Sequence, residues 1–204
     1  MSSLVKRLVD IVVSGSLLLI ASPLMLLTAL AIYLCIGRPV LFRQTRPGYK
    51  GEPFELLKFR TMNAARDAQG SLLPDAERLT PIGRWLRQLS IDELPQLWNV
   101  FRGDMSLVGP RPLLMQYMDR YTAEQSRRHD VKPGITGWAQ VNGRNAVTWT
   151  ERFALDIWYV DHANLFLDIR ILFQTLWRVA NRNGISQQGH ATMPEFSGSA
   201  RSKP

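Results

Sequence analysis

Cysteine is almost missing from this chain. The one cysteine, Cys35, sits inside an apolar run. No intramolecular disulfide can form, which suits a reducing, cytoplasmic setting for the globular part. Histidine is scarce as well. His129, His162 and His190 lie far apart, so no Cys/His metal cluster can be read from spacing. Acidic residues are in deficit, 17 against 25 Lys plus Arg, for a formal charge of +8. A basic surface suits anionic partners: nucleic acid, acidic lipid headgroups or phosphorylated substrates. Walker A, G-x-G-x-x-G, H-E-x-x-H and G-x-S-x-G patterns are all absent, so hydride transfer and serine hydrolysis have no support. Internal repeats and low-complexity tracts are also lacking. The 204 residues suffice for one domain with a real core, but not for two domains and a linker.

Charge is missing entirely between Asp10 and Arg38. That uncharged stretch, residues 11–37, is long enough to cross a bilayer, which takes about 20 apolar residues. It is too long for a signal-peptide core, and no A-x-A-like cleavage site follows it. Two membrane readings stay open, with a buried helix of a soluble domain as a third. One is a plain spanning helix. The other is a re-entrant helix broken at Ser22-Pro23, entering and leaving by one face. Proline removes a backbone hydrogen bond and kinks a helix, and Ser22 can satisfy a freed backbone group in lipid. Lys6 and Arg7 precede the run, while Arg38, Arg43, Arg46 and Lys50 follow it. Positive charge at both ends favours both ends being cytoplasmic. Six Trp and five Tyr add to a membrane-interface character.

Beyond the run, Val40 to Phe42 and Phe54 to Phe59 read as two short strands around a turn, Pro47 to Gly51. Residues 63–80 read as a polar, mobile loop. Thr80-Pro81 opens a helix, with Thr at the N-cap and Pro at the first helical position. Leu113 to Arg128 reads as helical, with Thr122 and Gln125 spaced as a capping box, and Lys132-Pro133-Gly134 ends it. Thr148 to Asp161 is a further helix. Leu165 to Asn181 is another, stopped by Gly184, and reads either as a core helix or as a helix in the membrane interface.

The chemistry-bearing stretch is residues 89–112, where Asp92 and Glu93 are adjacent. The S-x-x-E spacing from Ser90 to Glu93 is that of a capping box, a purely structural role. Pro95 fits better if the helix starts nearer Leu94. Either way the carboxylates sit at a helix N-terminus, where the field lowers a carboxylate pKa and attracts phosphate. An ionised carboxylate there is a workable nucleophile for phosphoryl transfer, given a divalent cation and basic side chains. Arg111, stiffened between Pro110 and Pro112, is a phosphate-ligand candidate. Lys58 and Arg60 flank Phe59 and would point the same way. Arg87 lies in the helix before the carboxylates. Each of these cations is also readable as a solvated charge or a structural salt bridge.

Several ordered segments carry a resemblance. They are K-R-L-V-D (6–10), Ser22-Pro23, R-Q-x-R-P-G (43–48), F-x-L-x-K-F-R-T-M (54–62), D-E-L-P-Q-L-W-N-V (92–100), G-D-M-S-L-V-G-P-R-P (103–112), K-P-G-I-T-G-W-A-Q-V-N-G-R-N (132–145) and W-Y-V-D (158–161). Over about residues 5–196 the chain resembles the small monotopic phosphoglycosyl transferases of the bacterial sugar transferase family, the PglC-like enzymes. The resemblance implies an α/β, mainly α fold. Residues 1–38 would form a re-entrant membrane helix broken at Ser22-Pro23. Residues 39–196 would form a cytoplasmic catalytic domain with a short β element and interfacial amphipathic helices, and 197–204 a frayed tail. It implies a nucleophilic Asp92 that takes a phosphosugar from a UDP-sugar, releases UMP, and passes the phosphosugar to polyprenyl (undecaprenyl) phosphate. Mg2+ would be the cofactor, held by Asp92 and Glu93, with Glu93 in metal or proton handling and Arg111 on phosphate. The setting would be the bacterial inner membrane, monotopic, with the active site facing the cytoplasm. Membrane lipid is then a partner, nucleic acid is not, and a homodimer is a further candidate. Larger relatives carry extra N-terminal spanning helices, and this chain resembles the minimal version. The tail 184–196 resembles that of members acting on N-acetylated or diacetamido sugars. Two other readings compete: direct attack without a covalent intermediate, and a membrane-anchored basic binding module without catalysis.

Overall fold

A computed structural model describes residues 3–143, 147–181 and 195–198. The chain opens with one long helix, α1 (Ser3–Cys35), which carries Pro23 in its interior. It is long and apolar enough to cross a membrane. Helical structure runs through Ser22-Pro23 rather than stopping there, and Ser22 Oγ donates to Leu19 O at 2.8 Å. One stripe faces the rest of the molecule: Asp10, Ser14, Thr28 and Ile32 are buried. Leu19, Ile20, Leu26 and Leu27 stay exposed.

Both flanks of α1 are fastened to the same body. Near its start, Arg7 donates to Val100 O and Phe101 O at 2.6 and 2.7 Å. Asp10 accepts from Ser106 Oγ and from Leu107 N at 3.1 and 3.0 Å. Near its end, Ile32 packs with Phe59, Leu86 and Ile91. The buried polar groups explain the K-R-L-V-D segment. Each satisfies a backbone or hydroxyl partner that would otherwise be stranded in an apolar contact.

After α1 come β1 (Leu41–Pro47) and β2 (Pro53–Phe59), an antiparallel hairpin running from Leu41↔Phe59 to Pro47↔Pro53. β1 is longer than the three residues expected. Residues 63–80 are mostly irregular, but they include a short helix, α2 (Asp75–Arg78), and bridges Met62↔Leu79 and Arg66↔Leu72. Local polar bonds build this: the Asp67 carboxylate accepts from Gln69 N and Ser71 N. α3 (Pro81–Gln88) begins as expected, with Thr80 Oγ1 accepting from Gly83 N. α4 (Gln96–Arg102) ends on Gly103, whose φ of 100° suits glycine.

β3 (Ser106–Val108) and β4 (Gly134–Thr136) form a small parallel pair that no sequence pattern had suggested. Between them, the helix expected over Leu113 to Arg128 is broken up. A 3-10 stretch covers Met115–Arg120, α5 covers Ala123–Ser126, and another 3-10 turn covers Arg127–Asp130. Tyr117 and Tyr121 pack into an aromatic cluster with Trp149, Phe153 and Phe196. The Thr122–Gln125 capping box is present at the start of α5.

α6 (Trp138–Asn142), α7 (Trp149–His162) and α8 (Leu165–Ala180) complete the described fold. Thr148 and Glu151 cap α7 reciprocally, which fixes its first turn. α8 is not a core helix. Leu167 and Ile171 are buried, but Phe166, Phe173, Leu176 and Trp177 are about two-thirds or more exposed. Gly184 and most of the tail lie outside the described residues. The fold is thus mainly helical, with a long apolar N-terminal helix and two small β elements.

Candidate active site

The Asp92-Glu93 pair sits in a 3-10 turn, Ile91–Glu93, just before α4. Ser90 precedes it in a left-handed conformation (φ 56°) and makes no side-chain cap. The capping box expected from Ser90 to Glu93 is therefore not formed, because Ser90's backbone points its hydroxyl elsewhere. Pro95 caps α4, which has only seven residues. So short a helix offers little dipole to a phosphate. Side chains must supply the positive field instead.

Packing fixes the turn from two sides. Ile91 is buried among Ile32 of α1, Phe59 of β2 and Leu86 of α3. Asn99, fully buried in α4, accepts from Leu57 N at 3.0 Å and donates to Glu55 O at 2.8 Å. That pair of bonds locks α4 against β2 and sets Lys58 opposite Glu93. Lys58 Nζ then donates to Glu93 Oε1 at 2.6 Å.

Arg87 arrives through a close approach. Thr80 Oγ1 donates to Thr61 O at 3.0 Å, and α3 lies so near Thr61 that a Cβ on Gly83 would fall 1.9 Å from its carbonyl oxygen. Only glycine fits there. Arg87 Nε then donates to Thr61 Oγ1 at 3.1 Å. Arg111 is placed by the G-P-R-P loop. Gly109 N donates to Thr136 O and Gly134 N to Pro110 O, at 2.9 and 3.1 Å. Arg128 holds the loop from behind. It donates to Arg111 O at 2.8 Å and pairs with Asp156 at 2.7 Å, both side chains being almost fully buried. The Arg111 guanidinium grips Glu93 with two nitrogens.

The adjacent carboxylates therefore differ. Glu93 has its oxygens committed to Lys58 and Arg111. Burial pushes its pKa up, but those two cations overcome it and hold the group well below the usual carboxylate range. Asp92 has no hydrogen-bond partner among the described residues, is almost buried, and lines the main cavity. Burial and the Glu93 charge raise its pKa from 3.8 to about 6, against the pull of Lys58, Arg87 and Arg111. Burial and the Arg111 charge lower the Lys58 pKa, with Glu93 opposing. The result is a buried, partnerless carboxylate facing a cavity and flanked by three cations.

The other expected residues fall as follows. Lys58, Arg87 and Arg111 converge on the pair. Arg60 lines the same cavity but is spent on backbone, donating to Met62 O and Arg38 O at 2.8 and 2.9 Å. Ser22 and Pro23 lie in α1, where the neighbouring Ile20 and Ala21 line the cavity. Residues that carried no assignment include Asn99, Thr61 and the Arg128–Asp156 pair. Asn99 lay inside a resembling segment, but only its burial against β2 shows what it does.

No group of three or more His, Cys, Asp or Glu side chains is poised for a metal among the described residues. Mg2+ commonly takes one or two carboxylates, with substrate phosphates and water completing its shell. Asp92 fits that role, having free lone pairs on the cavity side. Glu93 does not fit in this arrangement, because Lys58 and Arg111 already occupy its oxygens.

Lys58, Arg60, Arg87 and Arg111 give the cavity the positive lining that a phosphorylated substrate would need. The chain matches the model of the bacterial sugar transferase family over residues 1–182. It is 56% identical over 196 residues to an uncharacterized sugar transferase, EpsL, of Bacillus subtilis, covering 96% of this chain and 97% of that protein. It is 45% identical over 186 residues to a UDP-glucose:undecaprenyl-phosphate glucose-1-phosphate transferase of Caulobacter vibrioides, covering 84% of this chain and 68% of that protein. An undecaprenyl-phosphate glucose phosphotransferase of Komagataeibacter xylinus is also 45% identical, but there the match spans only 36% of the longer protein. The chain belongs to the bacterial sugar transferase family. It is a transferase, and a basic binding module without catalysis does not describe it.

Proposed function

We propose that this enzyme moves a sugar-1-phosphate from a UDP-sugar to polyprenyl phosphate, giving a polyprenyl diphosphate sugar and UMP. The observation that carries the reading is Asp92: buried, unpartnered, facing the cavity, among Lys58, Arg87 and Arg111. Its carboxylate oxygen attacks the β-phosphorus of the donor. The bond from that phosphorus to the bridging oxygen breaks, and UMP leaves with the electron pair. A phosphosugar remains on Asp92. An oxygen of polyprenyl phosphate then attacks the same phosphorus and regenerates the carboxylate. Lys58 and Arg111, held by Glu93, and Arg87, held by Thr61, face the developing phosphoryl charge without having to reorganise. When bound, Mg2+ supplies further neutralisation of phosphate charge, with Asp92 as its protein ligand.

The reading of the membrane arrangement is supported by α1. A helix tied at Arg7 and Asp10 and again at Ile32 to one body does not carry its two ends to opposite sides of a core about 30 Å thick. This supports a monotopic, re-entrant arrangement, with Leu19 to Leu27 in lipid and the cavity at the membrane surface. The exposed apolar face of α8, flanked by Arg170 and Arg178, fits a helix lying in the interface. Positive flanks support a surface facing the cytoplasmic side of the inner membrane.

The test is UMP release by purified protein in lipid particles, with undecaprenyl phosphate, Mg2+ and a panel of UDP-sugars. Release that is lost in Asp92→Asn supports the reading. Under donor-only, single-turnover conditions a phosphosugar should be recovered on Asp92. Turnover without any such adduct would instead favour direct attack by the lipid phosphate.

A further inference from the structure

Lys58 and Arg111 beside the carboxylate pair are matched by Glu93, but two further cations in the same cavity have no anion. Arg46 of β1 and Arg152 of α7 both line the cavity, as Arg111 does. Neither forms an ion pair among the described residues, whereas Arg111 does so with Glu93 and Arg128 with Asp156. Arg46 donates to Gln44 Oε1 at 2.5 Å and reaches Pro112 O at 3.5 Å, and its Nε is buried without a partner. Arg152 lies over the Trp149 ring at 5.4 Å. A half-buried guanidinium without an anion carries a desolvation cost that a bound anion removes. Both guanidinium groups lie within reach of the Arg111 charge. Burial first, and the Arg111 charge among the remaining causes, lower both Arg46 and Arg152 below their usual range.

The lining of the cavity narrows which anion these arginines take. Leu17, Ile20 and Ala21 of α1, the helix read as lipid-facing, line the cavity, as do Tyr117, Trp149, Arg152 and Glu195. The latter belong to or adjoin the aromatic cluster around Tyr117, Phe153 and Phe196, to which α1 contributes nothing among the described residues. A lipid phosphate brings an apolar chain that needs the α1 surface, whereas a water-soluble phosphate does not. Arg111 pairs with Glu93, and its charge also acts on Arg46 and Arg152.

We propose that Arg46 and Arg152 form a second phosphate station, which binds the nucleotide phosphate that leaves as UMP, while Lys58, Arg87 and Arg111 bind the phosphate that is transferred. This rests on the reading given under Proposed function. It divides the donor diphosphate between two sets of cations. Arg46 and Arg152 then stabilise negative charge on the leaving group as its bond to the β-phosphorus breaks.

The test uses the full chain in lipid particles and equilibrium binding of UMP, uridine and farnesyl phosphate, so that it does not depend on turnover. In the unmodified protein, UMP should bind at least about 10-fold more tightly than uridine, as charge-assisted bonds to one phosphate require. In Arg46→Gln and Arg152→Gln, UMP binding should weaken about 10- to 100-fold each. Uridine and farnesyl phosphate binding should stay within about two-fold. Equal binding of UMP and uridine by the unmodified protein would overturn the station, whatever the variants do. Loss of farnesyl phosphate binding with UMP binding intact would assign the arginines to the lipid phosphate and overturn it equally. The wider reading fails separately, if the unmodified protein releases no UMP from any UDP-sugar while still binding UMP through these arginines.

Discussion

Asp92 and Glu93 are chain neighbours in one 3-10 turn, yet only Glu93 is paired. Glu93 is gripped by Lys58 and Arg111, while Asp92 has no hydrogen-bond partner among the described residues. Their pKa values move in opposite directions, Asp92 to about 6 and Glu93 far below its usual range. Two carboxylates pushed apart in this way separate two roles: one group is left available for attack, and the other arranges the cations.

A nucleophilic carboxylate must be ionised. With Asp92 titrating near about 6 in the empty enzyme, kcat/KM should rise with pH through that region and level off above about pH 7. Asp92→Asn should lower turnover by at least about 1,000-fold while leaving membrane association unchanged. A pH–rate profile with sedimentation of both proteins checks this. A flat profile across pH 5–7 would contradict it.

The same shift has a stability consequence. The Asp92 pKa is raised on folding, so the folded state holds its proton more tightly than the unfolded one. Below about pH 3 both states are protonated and nothing is lost. As pH rises from there to about 6, the unfolded chain gives up its proton first, and the folded state is increasingly penalised. Asp92→Asn removes the penalty. Above about pH 7 the variant should be more stable by about 3 kcal/mol, with no advantage at about pH 3. Thermal unfolding at the two pH values measures the difference.

Glu93→Gln removes the anion from between Lys58 and Arg111, whose side chains are one-fifth to one-third exposed. Two cations are then left facing each other. The expected loss is about 1–3 kcal/mol, smaller than for a fully buried pair because water reaches the site. Turnover should fall as well, since the cations are no longer held in place. Full activity with lowered stability would show that the clamp is only structural.

Asn99→Ala leaves Leu57 N–H and Glu55 C=O without their partners inside the core. Two stranded backbone groups predict a loss of about 2–4 kcal/mol. Denaturant unfolding reads it directly.

Phe173→Ser and Trp177→Ser alter the exposed apolar face of α8. Neither side chain is buried, so the midpoint of unfolding in detergent should barely change. Partition onto vesicles of anionic lipid should weaken. A large drop in stability with unchanged partition would show that another part of the protein covers this face.

Much was legible in order along the chain. The uncharged run of residues 11–37 could only be an apolar helix. Thr80-Pro81 marked a helix start and Thr122 with Gln125 a capping box, because a cap is a bond between near neighbours. The hairpin around Pro47 to Gly51 was readable for the same reason. The Asp-Glu pair and Arg111 stood out in a dense run of resembling segments. Short-range rules misled where distant contacts outweighed them. Ser90 and Glu93 have the spacing of a cap, but Glu93 gains more from two cations 35 and 18 residues away. Arg60 looked like a twin of Lys58, yet it turns to backbone carbonyls.

The sequence by itself determined the apolar helix, the local caps and turns, and the residue types available for phosphoryl chemistry, since each depends on bonds or periodicity within a few residues. Tertiary structure alone decided which carboxylate stays free. It also decided that both flanks of α1 share one body, and that β3 pairs in parallel with a strand 28 residues further on. Those outcomes depend on burial and charge brought together from distant segments, and no local pattern records them.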